Sequence, residues 1–286
     1  MPADWLKIKQ ARPDITDYLI HWARGIYGTG QRISPLEVLM SIIECGFLRP
    51  SFAPRNRVTV GGRDNTIKGT QPAVCFTEQP LDSFIKSCDT LSNRYYPYAI
   101  AVRKNRLFEY GGRPVTYGDE NLLNGLPDEY KYLWVHYQPI PSAGIGGYPL
   151  DWTHEREWRA LAVKYSYGTL GVWPEEGIPL LLPPQISGSS KPIWYLPWII
   201  VREKSEVDSV RQYIGTFEPY SGSNEILKLY FRLLPKIPIV PLDEVETHMN
   251  AKDLRWCRLD MLPMEELDAS ITARFIRMGW RELKQG

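Results

Sequence analysis

The run Asp151-Trp152-Thr153-His154-Glu155-Arg156-Glu157-Trp158-Arg159 leads straight into Ala160-Leu161-Ala162-Val163. A densely charged segment thus ends on an apolar, strand-like one, and this junction decides how the chain is read. Side chains alternate along a strand with period two, so Glu155, Glu157 and Arg159 are expected on one face, with Arg156, Trp158 and Ala160 on the other. Aligned carboxylates raise each other's proton affinity, which lets one hold a proton while its partner is ionised. Glu155 and Glu157 are therefore the candidate catalytic acids, with Trp152, His154 and Arg159 as candidate substrate contacts. The same pattern fits a charged strand edge on which Arg156 and Arg159 pair with the two glutamates.

Upstream, Ser34-Pro35-Leu36-Glu37 is a capping box with proline at the first helical position. Leu36, Leu39, Met40 and Ile43 follow helical spacing, and Gly46 is placed to end the helix in the left-handed conformation. A strand over 73–76 precedes a second helix opened by Pro80, whose apolar face is Leu81, Phe84, Ile85 and Cys88. Strand-like runs at 98–102, 114–117, 132–137, 158–163 and 196–202 are separated by turn-rich segments such as 110–113 and 144–147. Ser205 is expected to cap a helix carrying Val207, Val210 and Ile214, and 183–190 reads as a loop. Strands and helices do not alternate regularly, so the expectation is α+β rather than a doubly wound parallel sheet. Residues 1–204 form the expected catalytic core and 205–286 a mainly helical C-terminal extension.

Three further segments bring polar groups to structural junctions. Tyr18-Leu19-Ile20-His21-Trp22-Ala23-Arg24-Gly25 is a strand-like run leading into Gly25, Gly28 and Gly30, which permit close backbone approach. His21 is the catalytic candidate there and Trp22 and Arg24 are binding candidates; a satisfied structural histidine is the competing reading. In Cys75-Phe76-Thr77-Glu78-Gln79-Pro80 a strand ends on a helix start, where backbone amides can meet a polar ligand. Thr77 and Glu78 are candidates, although Glu78 also reads as a favourable charge at a helix N-terminus. In 110–117, Arg113 is a candidate phosphate contact and Tyr117 a stacking or hydrogen-bonding group, on what is equally a plain hairpin turn.

Composition narrows the classes. The 286 residues carry 34 basic and 33 acidic side chains, a net charge of +1, which excludes a globally basic nucleic-acid binder and a self-repelling acidic chain. Arg55, Arg57, Arg63 and Lys68 nevertheless gather on one loop with a single acid, Asp64, and form the candidate DNA-backbone surface; a solvated loop is the competing reading. The four cysteines, at 45, 75, 88 and 257, include no C-x-x-C pair, so reduced thiols, a cytoplasmic setting and no metal site are expected. The N-terminus lacks an apolar signal core and no run approaches 18 apolar residues, so no membrane partner is expected. Phosphate-loop, HExxH, GxSxG and kinase motifs are absent from the sequence.

The order of these segments, from Leu19-Ile20-His21-Trp22 through Ile42-Ile43-Glu44-Cys45-Gly46-Phe47-Leu48, Ala73-Val74-Cys75-Phe76-Thr77-Glu78 and Gly112-Arg113-Pro114-Val115 to the 151–159 run, resembles the AbiGi-like abortive-infection proteins of bacteria. More distantly it resembles the DarT branch of the ADP-ribosyltransferase superfamily, over about residues 18–163. The chain is also similar in size and character to the Brig-type anti-phage DNA glycosylases. The superfamily resemblance implies a split, twisted antiparallel sheet with flanking helices, a first-strand His matched by His21, and a late strand glutamate matched by Glu155 or Glu157. Both chemistries break an N-glycosidic bond through a cationic C1′ that a nearby carboxylate stabilises. The expected activity is a phage-defence DNA glycosylase that removes a glucosylated hydroxymethylcytosine from double-stranded phage DNA without a cofactor. The alternatives are an ADP-ribosyltransferase that uses NAD on nucleic acid and a non-catalytic abortive-infection regulator.

Overall fold

The computed structural model describes residues 12, 14–28, 31–59, 62–90, 96–140, 149–162, 176–182, 196–218 and 225–250. The expected turn at 144–147, the loop at 183–190 and Cys257 lie outside them. The best-specified element is helix α1 (Pro35–Cys45). Ser34 Oγ accepts the Glu37 amide at 3.2 Å, and Glu37 Oε2 accepts the Ser34 amide at 2.6 Å. Gly46 closes the helix at φ 75°, its amide bonding the Ile42 carbonyl. Replacing an N-cap serine by alanine costs about 1 kcal/mol. Ser34→Ala is expected to lower the melting temperature by about 2–4 °C, and an unchanged melt would show that packing alone holds this helix.

In chain order the elements are β1 (Tyr18–Trp22), β2 (Ile26–Gly28), β3 (Gln31–Ile33), α1, β4 (Phe47–Leu48), β5 (Pro54–Thr59), β6 (Gly62–Asn65), β7 (Ala73–Thr77) and α2 (Leu81–Thr90). Then come β8 (Ala99–Arg103), α3 (Lys104–Glu109), β9 (Arg113–Pro114), β10 (Thr116–Gly118), α4 (Glu120–Gly125), β11 (Trp134–His136), β12 (Glu157–Leu161), β13 (Ile178–Pro179) and β14 (Trp198–Val201). The described chain closes with α5 (Ser205–Gly215), α6 (Glu225–Leu233), β15 (Ile239–Pro241) and α7 (Leu242–Asn250). Among the described residues a seven-stranded sheet has the order β15-β14-β8-β1-β7-β12-β9. Its pairs are antiparallel apart from β14 with β15. The protein is thus a mixed α+β structure, a mostly antiparallel sheet with flanking helices.

Strand alternation sorts the core onto two faces. Leu19, Val74, Phe76, Ile100, Val102, Ala160, Ile199 and Val201 join one cluster together with residues of α1, α5 and α6. The intervening residues Tyr18, Ile20, Trp22, Ala99, Ala101, Trp198 and Ile200 join another, with α2 and α7. On this second face a separate, smaller cluster holds Ile67, Ala73 and Tyr132, with Cys75 and Leu161 packed against it. The second face therefore carries two cores, with β7 at their seam. The segment after 204 adds α5 and α6 to the first face, α7 to the second and β15 to the sheet edge.

Several expected elements differ in detail. The stretch before β11 is a 3-10 helix, Asp128–Leu133, rather than strand. Ser205 is the first residue of α5 rather than its cap, which is Lys204. Of the glycines after β1, Gly25 precedes a β2–β3 hairpin, Gly28 ends its first strand and Gly30 lies outside the described residues. Arg55, Arg57 and Arg63 of the expected basic loop fall on a β5–β6 hairpin, with Lys68 beyond it.

Candidate active site

The phase of the acidic segment differs from the sequence expectation. Thr153–Glu155 is one turn of 3-10 helix, and Arg156 sits in the left-handed region at φ 45°, ψ 50°. That residue breaks the alternation, and the strand begins only at Glu157, opposite Thr77. Glu155 and Glu157 are therefore not neighbours on one strand face. A left-handed, non-glycine residue costs roughly 1–2 kcal/mol and persists only where its surroundings fix it. Here Thr77 Oγ1 donates to the Glu155 carbonyl, Gln79 Nε2 donates to the His154 carbonyl at 3.0 Å, and the Glu78 amide donates to the Arg156 carbonyl at 3.1 Å. Asp151 holds the start of the turn through the Thr153 amide and hydroxyl. His154 is exposed and Trp152 half-buried, their rings tilted 6.1 Å apart.

Glu157 is positioned on the second face with Cys75, Thr77 and Arg159, since Arg159 pairs with Cys75 and Glu157 with Thr77. Arg159 is buried, with 3% of its side chain exposed, against 15% for Glu157. Its Nε and Nη2 reach the two carboxylate oxygens at 2.8 and 3.3 Å, a bidentate pair. Its Nη1 donates to the carbonyls of Tyr132 at 2.6 Å and Trp134 at 3.0 Å. Burial, the largest single influence, disfavours the guanidinium charge, yet the charge and hydrogen bonds of Glu157, together with Cys75, outweigh it and raise the Arg159 pKa. The Cys75 thiol is pushed well up, first by burial and then by the Glu157 charge, so it stays protonated and is a poor nucleophile.

Tyr117 reaches the same spot from β10. Its hydroxyl accepts the Glu157 amide at 3.1 Å. Burial raises its pKa, opposed by that amide and reinforced by the charges of Glu157 and Glu155. The phenol is thus neutral and keeps its own proton to donate. Arg113, on edge strand β9 beside β12, is taken up locally: it donates to the carbonyls of Phe108 and Gly112, both at 2.7 Å, and covers the Phe108 ring.

Glu78 and His21 belong to the other face. Glu78, 13% exposed, accepts from Lys104 at 2.7 Å and from the Trp158 indole at 2.8 Å, and pairs with Arg156 at 3.6 Å. It anchors the left-handed residue behind the acidic turn. His21 Nδ1 lies 2.8 Å from the Cys75 carbonyl, which fixes the proton on that nitrogen, and the ring meets Phe76 edge-on. Trp22 is buried against Phe84 in the second-face core, while Arg24 is exposed just beyond β1. The structure thus joins Glu157, Arg159, Tyr117 and Cys75 at the seam, places Glu155 on the adjoining turn, and separates His21 from them by the sheet. Gln79, Arg156 and the carbonyls of Tyr132 and Trp134 complete the arrangement without a sequence motif to mark them. For Cys75, the alternation of β7 itself was the signal, because it shares a face with Thr77.

No family model, curated protein or solved structure matches the chain. The family likeness of the sequence therefore rests on its motifs alone. Among the described residues no group of three or more His, Cys, Asp or Glu side chains is arranged to hold a metal ion, and no helix is long and apolar enough to cross a membrane.

His21 supplies a pH test. Burial, aided by the Arg24 charge and opposed by the Cys75 carbonyl, pushes its pKa down to about 4. The unfolded side chain titrates near 6.5. Between these values the unfolded chain binds a proton that the folded one does not, so stability is full above about pH 6.5 and is lost as pH falls toward 4. At about 1.4 kcal/mol per pH unit the loss is at most about 3.5 kcal/mol, an upper bound for a ring that is only half-buried. His21→Gln can still donate to Cys75 but does not titrate. Urea midpoints measured from pH 7 to 4.5 should fall less steeply for His21→Gln than for the parent; parallel profiles would remove this role.

Proposed function

We propose that the protein cleaves an N-glycosidic bond in double-stranded DNA and releases a modified cytosine, with Glu157 as the acting carboxylate. The carrying observation is the bidentate Glu157–Arg159 pair at the seam of the second face, its glutamate 15% exposed and that residue's backbone amide bonded to the neutral Tyr117 phenol. A carboxylate fixed by a buried guanidinium does not reorganise as positive charge develops at C1′, which is the condition for electrostatic stabilisation of such a state. The C1′–N bond breaks with its electron pair leaving on the base, which takes up a proton, and water adds to C1′ to leave an abasic site. Tyr117 is positioned to supply a proton, and Glu157 to receive one from the attacking water.

On this reading the sheet is the split sheet of the ADP-ribosyltransferase superfamily, and the glucosylated hydroxymethylcytosine of phage DNA is the expected target. Glu155, on a turn held by its backbone, shapes the rim rather than the reacting centre. The test is incubation with glucosylated and unmodified phage DNA, with and without NAD, followed by mass spectrometry of released bases and of the DNA. Release of the modified base without NAD supports the proposal. An ADP-ribose adduct formed only with NAD replaces it by the transferase reading, and unaltered DNA in all arms overturns both.

A further inference from the structure

The net charge of +1 is distributed unequally about the sheet. Strands β1 and β7 are antiparallel, with Ile20 opposite Thr77, so the end of β1 and the start of β7 share one end of the sheet. The β2–β3 hairpin follows β1 at that end. The β5–β6 hairpin stands there too, because the Ser51–Ala73 bridge and the bonds of Thr66 to Ala53 and Ile67 to Phe52 root it beside the start of β7. Residues 23–33 contain Arg24 and Arg32 and no acid. Residues 47–72 contain Arg49, Arg55, Arg57, Arg63 and Lys68, with Asp64 their one acid. The two segments therefore carry seven basic residues and one acid, a net +6, leaving −5 on the rest of the chain. The opposite end bears the acidic turn with Asp151 and Glu155, together with Asp14, Asp17 and Glu78 and the basic Lys104 and Arg156 that pair with Glu78. Past β14 and β15, at the same end as the hairpins but toward the other edge of the sheet, Glu203, Glu206, Asp243 and Glu244 stand beside Arg202 and Lys204, so the basic surface is confined to the β1–β7 side.

Two of these arginines stand on the scaffold rather than on the hairpins. Arg24 is exposed immediately beyond β1, at the end of the sheet where β7 begins. Arg49 is exposed two residues before the Ser51 bridge, over the Phe47 ring. The Glu157 carboxylate, drawn toward Arg159 and Cys75, leans from the far end of β12 toward this end of the sheet.

We propose that this end of the sheet docks the phosphate backbone of duplex DNA, with Arg24 and Arg49 as scaffold contacts between the two hairpins. The inference rests on the DNA reading above and adds where the duplex sits and from which side a nucleotide enters the seam. Phosphate contacts release condensed counterions, so affinity falls with salt at a slope of about 0.9 per contact. The experiment measures binding of a short fluorescein-labelled, unmodified duplex between about 50 and 200 mM salt by the full chain, by Glu157→Gln, and by Arg24→Ala/Arg49→Ala. Glu157→Gln should keep the parental slope, and the double variant should lower its magnitude by about 2. A second variant, Arg24→Lys/Arg49→Lys, keeps the charges and should restore most of the slope. Parental slopes in the alanine variant overturn the docking surface, while base release by the parent would still sustain the proposed chemistry. Parental binding of polyglutamate as tight as of duplex also overturns it. A flattened slope with no base release from any DNA would keep the surface and remove the chemistry.

Discussion

Glu157→Gln is expected to reduce release of the modified base by at least about a hundred-fold, with duplex binding unchanged. The amide keeps the size and planarity of the carboxylate and one acceptor for Arg159, so the side chain stays in place. The buried guanidinium loses its counter-charge, and the variant is assayed well below its lowered melting temperature. What it removes is the negative charge at the seam, and loss of a single preorganised electrostatic contact at a reacting centre lowers rates by about 10²–10³. Glu155→Gln, on the neighbouring turn, leaves the Arg159 pair intact and should change the rate by less than about ten-fold. Initial rates of base release under saturating DNA separate the two. Equal losses in both variants would mean that the carboxylates act as one unit, and an active Glu157→Gln would sink the assignment.

The second large effect is on stability. Arg159→Met leaves the Glu157 carboxylate without its cation and the Tyr132 and Trp134 carbonyls without their donor, in a site where the guanidinium is 3% exposed. Breaking one side of a buried pair costs about 3–5 kcal/mol, whereas replacing both sides by apolar groups is often neutral. Arg159→Met should therefore move the denaturation midpoint far down, and Glu157→Leu/Arg159→Met should recover most of that loss while remaining inactive. A loss below about 1 kcal/mol in the single variant would be the behaviour of a solvated surface pair, contrary to the burial of Arg159. A double variant no more stable than the single one would place the cost in the carbonyls.

What could be read from the sequence follows the range of the interactions. Helix α1 was fully legible because its start, face and stop are set by Ser34, Glu37, the leucine spacing and Gly46, all within a few turns. The strands themselves at 18–22, 98–102 and 196–202 are legible as apolar runs, and their two faces follow from an alternation that is equally local. The phase of Glu155 against Glu157 is not legible in this way. The residue that shifts it is an arginine at φ 45°, held there by Glu78 and Asp14 from distant segments, where a glycine would have announced the turn. The β5–β6 hairpin reads as a loop because Pro54–Thr59 and Gly62–Asn65 lack an alternating apolar face, although Gly61-Gly62 is a turn signal. His21 looked catalytic because its strand leads into glycines; which side of the sheet it occupies depends on the β1–β7 register, and that register is non-local.

The strand order has a consequence for how the molecule comes into being. Each central pairing joins segments made at very different times: Ile20 meets Thr77, Thr77 meets Glu157, and Ala101 meets Trp198. Chains dominated by such distant pairings fold slowly, and their unpaired edges are exposed to aggregation meanwhile. During synthesis at about 5–20 residues per second, β7 waits several seconds for β12, and β14 gains its neighbour β15 only when residues 239–241 have left the ribosome. The ion pair at the seam is consequently among the later features to be assembled, so a nascent or truncated chain that lacks β12 carries the hairpins and their positive charge but no Glu157 to set beside Cys75.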